Sequence, residues 1–216
     1  MKTFKVLIIT PLIFFSCSSG SIYTELLSNL SIIFTEPKDI SLTQVESIPY
    51  STLQARIGRS ENSLIVLEEI RGDIMKWTSS NKVKVYTLNN FVVRLTGVEN
   101  ELENVDLDNM HPVLTKDFDN TNQIFTSFYT FDNPKLFRLP IKTRFYYLQD
   151  EEINILGKTI ITKVYKEKTQ KNLISWDFEN IYWINNKNEI VKSVQFFTPK
   201  NPSIHLTITD IYKKPE

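Results

Sequence analysis

From Ser51 onward the chain is written largely in short runs of period two, and that pattern limits what it can fold into. Ser51 to Ile57, Leu64 to Ile70, Val83 to Leu88, Phe91 to Leu95, Thr143 to Leu148, Thr159 to Tyr165, Ile181 to Ile184, Ile190 to Phe197 and Ile204 to Tyr212 are apolar or alternating. They are rich in β-branched and aromatic residues, as strands are. In the last run Ile204, Leu206 and Ile208 face one way and His205, Thr207 and Thr209 the other. Asn89-Asn90, Leu156-Gly157 and Asn185 to Asn188 supply tight turns; Asn tolerates positive φ best after Gly. Many short strands joined this way form an antiparallel sheet. A sheet this long must curl or close to cover its face and hide its edges. The expected fold is mainly β: an antiparallel curved sheet or an open or half β-barrel.

The N-terminus follows a different rule. Residues 1–16, MKTFKVLIITPLIFFS, place Lys2 and Lys5 before an apolar stretch from Val6 to Phe15. That stretch is too short to cross about 30 Å of hydrocarbon as a helix. It has the form of a secretory signal. Cys17, the single cysteine of the chain, follows at once in Ser16-Cys17-Ser18-Ser19-Gly20. One cysteine permits no internal disulfide and no thiolate metal cluster. The stretch resembles the lipobox of bacterial lipoproteins, with Phe14 where Leu is usual. That resemblance implies cleavage after residue 16, a diacylglyceryl group on the Cys17 thiol and an N-acyl chain on the new amine; the length and the period-two runs then predict a single mainly-β domain over 17–216. Two or three acyl chains anchor stably where one does not. By the same family's sorting rule, Ser18 favours the outer membrane.

Ile22, Leu26, Leu30 and Ile33 recur at three- and four-residue spacing, which predicts an amphipathic helix over about 20–35. Pro37 ends it. Its polar face carries no Lys or Arg, so it is expected to pack against the sheet rather than on a membrane surface. Strands are then expected over about 40–213.

The composition excludes several functions. With 25 basic and 25 acidic residues the chain is neutral, and removal of Lys2 and Lys5 with the signal leaves a slight acidic excess. No basic surplus points to nucleic acid. The two histidines, His111 and His205, have no paired metal spacing, so no metal is expected. No GxSxG elbow and no glycine-rich phosphate loop occur. Ser51, His205 and an aspartate form a trio that any chain of this size offers by chance. Glu68 and Glu69, as strand neighbours, should point to opposite faces and so not share a site. Glu99 to Asn109, ENELENVDLDN, lacks the glycine and terminal glutamate of a calcium loop and is expected to be a solvated edge or loop. Asp117 to Asn122 is expected to be an exposed loop, with His111 in the loop before it. No catalytic residues emerge, and the chain is not expected to be an enzyme.

Four ordered stretches carry a further resemblance: IPYSTLQARIG at 48–58, KWTSSNKVKVYTLNNFVVRLTGVENEL at 76–102, INILGKTIITKVYKE at 153–167 and FENIYWINNKNEIVKSVQ at 178–195. Together they resemble the group 4 capsule lipoprotein family of exopolysaccharide secretion, the YjbF/GfcB type. Pro49, Tyr50, Ser51, Arg56, Trp77, Gly97, Gly157 and Trp183 fall at matching positions, and Asn90 stands where the family commonly has Gly. The resemblance implies a lipid-anchored outer-membrane protein facing the periplasm that assists assembly or export of a capsular or extracellular polysaccharide. It implies as partners an outer-membrane β-barrel protein and periplasmic export proteins, and as a candidate ligand the polysaccharide itself. No cofactor is implied beyond the lipid on Cys17. Trp77, Trp183, Tyr50 and Arg56 are the candidate partner or glycan contacts. The alternative is a periplasmic carrier or chaperone that holds an acyl chain or lipoprotein in the concave face of the sheet.

Overall fold

The alternating runs become strands, and the strands close on themselves. A computed structural model describes residues 38–119, 123–170, 174 and 176–209. Twelve antiparallel strands follow one another: β1 (Thr52–Ile57), β2 (Ser63–Arg71), β3 (Ile74–Thr78), β4 (Lys84–Leu88), β5 (Phe91–Thr96), β6 (Leu102–Asp106), β7 (Phe125–Phe131), β8 (Leu136–Ile155), β9 (Lys158–Thr169), β10 (Glu179–Ile184), β11 (Ile190–Gln195) and β12 (Ile204–Ile208). Two short helices accompany them, α1 (Leu42–Glu46) and α2 (Pro112–Thr115). The signal segment, Cys17 and the expected helix over about 20–35 lie outside the described residues, as do 210–216 at the end of the last expected run.

Each strand pairs with its sequence neighbours, and β1 pairs with β12 to complete a closed barrel. Leu53 stands opposite Ile208, Ala55 opposite Leu206 and Ile57 opposite Ile204 along that seam. The expectation of an open sheet is therefore corrected. Register shifts in the β2–β3, β4–β5, β6–β7, β7–β8, β8–β9 and β10–β11 pairings bend the sheet far enough to meet itself. Closure also removes the free edges that would have offered strand addition to a partner. The shift between Leu67 and Glu69 corrects a second expectation. It brings Glu68 and Glu69 to one side, with Lys76 Nζ 2.5 Å from the first and 3.9 Å from the second.

The turns read from the sequence hold. Asn89 and Asn90 both have positive φ, 47° and 60°, as a primed two-residue hairpin requires. Asn90 also donates to Ile190 O at 2.8 Å across the barrel, a bond glycine would lack. Leu156 and Gly157 form a similar turn at φ 51° and 81°. Leucine seldom adopts that conformation; here its side chain packs beside Ile153, Ile155 and Val191, which offsets the strain.

Alternation assigns one set of side chains to the interior. Leu53, Trp77, Leu95, Phe131, Ile141, Phe145, Tyr165, Tyr182 and Leu206 form one contiguous core. Both ends are stoppered. The β6–β7 connection puts His111, Val113 and Phe118 into the core, all buried. At the other end Trp176 packs on Tyr129, Phe131 and Phe178, with ring centroids 5.8, 5.6 and 4.5 Å away. His111 is thus core rather than surface loop. Asp119 in the same connection behaves as expected of an exposed residue, and is tied to Lys163 and Tyr165.

Candidate functional site

Two constellations stand out, one inside the barrel and one on its outer wall. Inside, Glu167 of β9 is 1% exposed. Strand alternation puts it in phase with Tyr165 and Thr169, which forces a carboxylate inward. It accepts from Tyr182 Oη at 2.7 Å and Asn180 Nδ2 at 2.9 Å. His111 Nε2 stands 3.8 Å from its other oxygen. That is too long for a good hydrogen bond and short enough for charge interaction. His111 Nδ1 accepts from Val113 N, which leaves the proton on Nε2, the nitrogen aimed at Glu167. Phe91, Phe125 and Phe145 meet the imidazole edge-on at 5.6, 5.6 and 5.3 Å between centroids. Burial pushes the Glu167 carboxyl up, but His111, Tyr182 and Asn180 together outweigh it and hold the group below its ordinary value. Burial, then the Glu167 charge, push Tyr182 well above the usual phenol range. Rings surround the whole group, so it ties five strands and the β6–β7 connection together.

On the outside, six adjacent strands present one surface. Lys142, Arg144 and Tyr146 of β8 alternate with buried Ile141, Thr143 and Phe145. Lys166 and Lys168 of β9, Glu179, Ile181 and Trp183 of β10, Lys192 and Val194 of β11, His205 and Thr207 of β12, and Gln54 and Arg56 of β1 continue it. The pairing register lines these up in rows. Arg144, Lys168 and Glu179 form one; Tyr146, Lys166, Ile181, Val194, His205 and Arg56 form the next; Trp183, Lys192, Thr207 and Gln54 form a third. At about 4.8 Å per strand the surface is roughly 24 Å across. Among these residues six cations meet one carboxylate, Glu179, which Lys168 and Lys166 approach at 2.9 and 3.4 Å. Lys192 Nζ lies 4.7 Å from the Trp183 ring centroid. Arg144 Nε and Trp183 Nε1 have no hydrogen-bond partner among the described residues.

This wall unites two of the four candidate contacts, Arg56 and Trp183, which lie far apart in sequence. Arg56 donates to His205 Nδ1 at 2.9 Å, and His205 Nε2 lies 3.2 Å from Ser203 Oγ. Ser51 takes no part in that set, so the chance trio with an aspartate does not assemble. Tyr50, 65% exposed, lies just before β1. Trp77 is corrected to a core residue: it is 4% exposed and donates to Thr87 Oγ1 at 2.9 Å, so its ring faces no ligand in solution. The other wall residues escaped sequence reading because a basic strand face resembles any solvated one.

Burial, with the Arg56 and Lys192 charges behind it, lowers the His205 pKa from 6.5 to about 4. The folded protein therefore refuses a proton that the unfolded chain accepts. The stability contributed by neutral His205 is full above pH 6.5 and is lost as pH falls from 6.5 toward about 4. A proton NMR titration should place the His205 midpoint near 4, and His205→Gln should make the dependence of unfolding free energy on pH shallower in that window.

The wall carries lysine and arginine outward while aromatic rings fill the interior. That is the reverse of a membrane-spanning barrel, which is apolar outside and polar within. Fold and surface together define a small closed barrel with a solid aromatic core and a basic outer wall. The chain belongs to the group 4 capsule polysaccharide lipoprotein family (GfcB, YjbF), whose sequence model matches residues 14–209. It is 21% identical over 142 residues to the uncharacterized lipoprotein GfcB of Escherichia coli K12, a match spanning 65% of this chain and 66% of that one. The crystal structure of the hypothetical lipoprotein YmcC from E. coli K12 shares the fold, with a TM-score of 0.65 at 18% identity over 92% of this chain and all of the other.

Proposed function

We propose that this protein is a non-enzymatic, lipid-anchored accessory component of capsular or extracellular polysaccharide assembly or export, held by Cys17 on the periplasmic side of the outer membrane. The family match over residues 14–209 carries the reading. The interior supports its non-enzymatic part. Glu167 and His111, the buried acid–base pair, sit beneath packed rings where a substrate has no approach. The carrier alternative needs an apolar concavity, and the space where one would lie holds Phe91, Phe125, Phe145 and Tyr182. Partners in this role are an outer-membrane barrel protein and periplasmic export proteins. The barrel end that carries the β6–β7 and β8–β9 connections exposes Met110, Leu114, Ile124, Tyr147, Leu148 and Ile161, the kind of apolar surface that protein contacts use.

The test is complementation of a gene deletion, with secreted polymer as the readout. Wild type and Glu167→Gln, which keeps shape and burial but removes the charge, should both restore polymer to a deletion strain that lacks it. A folded, normally abundant Glu167→Gln that leaves the strain without polymer would give the buried pair a chemical role and end the non-enzymatic reading.

A further inference from the structure

We infer that the outer wall of β8 to β12 and β1 is a binding surface for an anionic polysaccharide, a polymer bearing carboxylate or phosphate groups. The inference rests on the proposed role in polysaccharide assembly and gives that role a site and a ligand chemistry.

Charge distribution supports it first. The chain as a whole is neutral, with 25 basic and 25 acidic residues. A wall where cations far outnumber carboxylates is therefore a local concentration, not a reflection of composition. Regular spacing gives it the form of a track. Lys168 stands beside Arg144, and Lys192 beside Trp183, on rows fixed by β-pairing. Charges about 5–7 Å apart on a rigid sheet can meet successive charged groups of an extended chain without reordering.

The uncharged residues fit the same ligand. Trp183 is half-buried beside Ile153, Ile155 and Val191 and holds Lys192 over its ring face, which fixes where the Lys192 charge stands. Gln54 and Thr207 in the same row offer hydrogen-bond partners for hydroxyls. His205 stays neutral at physiological pH and holds Arg56 in place, so the Arg56 charge is positioned rather than free. Glu179 is the one carboxylate within the three rows, with Asp177 just before β10 also acting on Lys168, and removal of the Glu179 charge should strengthen binding.

The test uses the full lipidated protein with its acyl chains seated in neutral phosphatidylcholine nanodiscs, and polygalacturonate, neutral dextran and phosphatidylglycerol vesicles as probes. Polygalacturonate should bind, and binding should weaken as salt rises. Dextran should not bind at matched concentration. Lys142→Gln, Lys168→Gln and Lys192→Gln combined should weaken binding on the order of 30-fold, about 3-fold per cation lost. Glu179→Gln alone should tighten it about 3-fold, an outcome that loss of folding cannot imitate. Absence of polygalacturonate binding at low salt, equal binding of dextran, or indifference to both variants would overturn the inference. Binding to the vesicles but not to polygalacturonate would also overturn it, and would make the wall a membrane surface. These readouts use purified protein, so their failure is distinct from failure of the polysaccharide role in cells.

Discussion

Glu167→Ala is expected to destabilise the protein by about 3–5 kcal/mol, the range for removing one member of a buried charged set. The change strands the Tyr182 hydroxyl and the Asn180 amide, both of which donate to this carboxylate and have almost no contact with water. It also takes the facing charge from His111 at the centre of the core. For a chain of this size the melting temperature should drop by about 10 °C. Calorimetry on the purified protein checks this. A shift of a degree or two would mean that the network is loosely held. Acid should act in the same direction. The folded carboxyl titrates below its unfolded value of 4.5, so its contribution is present above that value and lost as pH falls beneath it. Glu167→Gln should blunt that acid sensitivity.

Phe145→Ala should cost about as much, 3–5 kcal/mol by the usual penalty for emptying a buried aromatic site. The ring has no exposed surface. It meets His111, Tyr182, Phe118 and Phe125 at centroid distances of 5.3, 5.9, 6.0 and 6.0 Å. Truncation would leave a void between the barrel wall and the inserted β6–β7 connection, and the rigid sheet has little means to close it. Phe137, eight residues earlier on the same strand and 81% exposed, is the internal control. Phe137→Ala should change stability by less than about 0.5 kcal/mol. Equal effects at the two sites would contradict the inward and outward assignment of β8.

Much of the barrel was legible because half-buried strands alternate. β1, β2, β4, β5 and β9 to β12 follow runs of period two, β8 extends well beyond its run at Thr143 to Leu148, and the Asn89-Asn90 and Leu156-Gly157 turns follow from the residues that tolerate positive φ. The strands that escaped show why a pattern hides. In β6 the inward residues are Leu102 and Val105, three apart, because the register shifts between Leu102 and Asn104. That offset, among acidic neighbours, reads as a loop. In β7 aromatic residues occupy both faces, Phe128 outward among inward Phe125, Tyr129 and Phe131, so no alternation remains. β3 is five residues with only Trp77 fully buried.

The two sites were legible to different degrees. Glu167 is charged, and hydropathy alone assigns it to solvent; only its phase with Tyr165 on β9 betrays the inward position. His111 depends on a connection that folds back into the barrel, which no local pattern encodes. Arg56 and Trp183 were singled out individually, but their common surface depends on the β1–β12 seam. Closure is a long-range event that follows from bends accumulated at bulges, and a bulge leaves little trace in sequence.

Lipid anchoring and polysaccharide assembly are joined most directly in one comparison. Polymer outside the cell is measured in a strain lacking the gene, in the same strain restored with wild type, and in the strain restored with Cys17→Ser. Loss on deletion, recovery with wild type and failure of Cys17→Ser despite a stable protein is the expected result. Polymer that is unchanged by deletion would contradict a role in its assembly, and full recovery with Cys17→Ser would show that the anchor at Cys17 is dispensable.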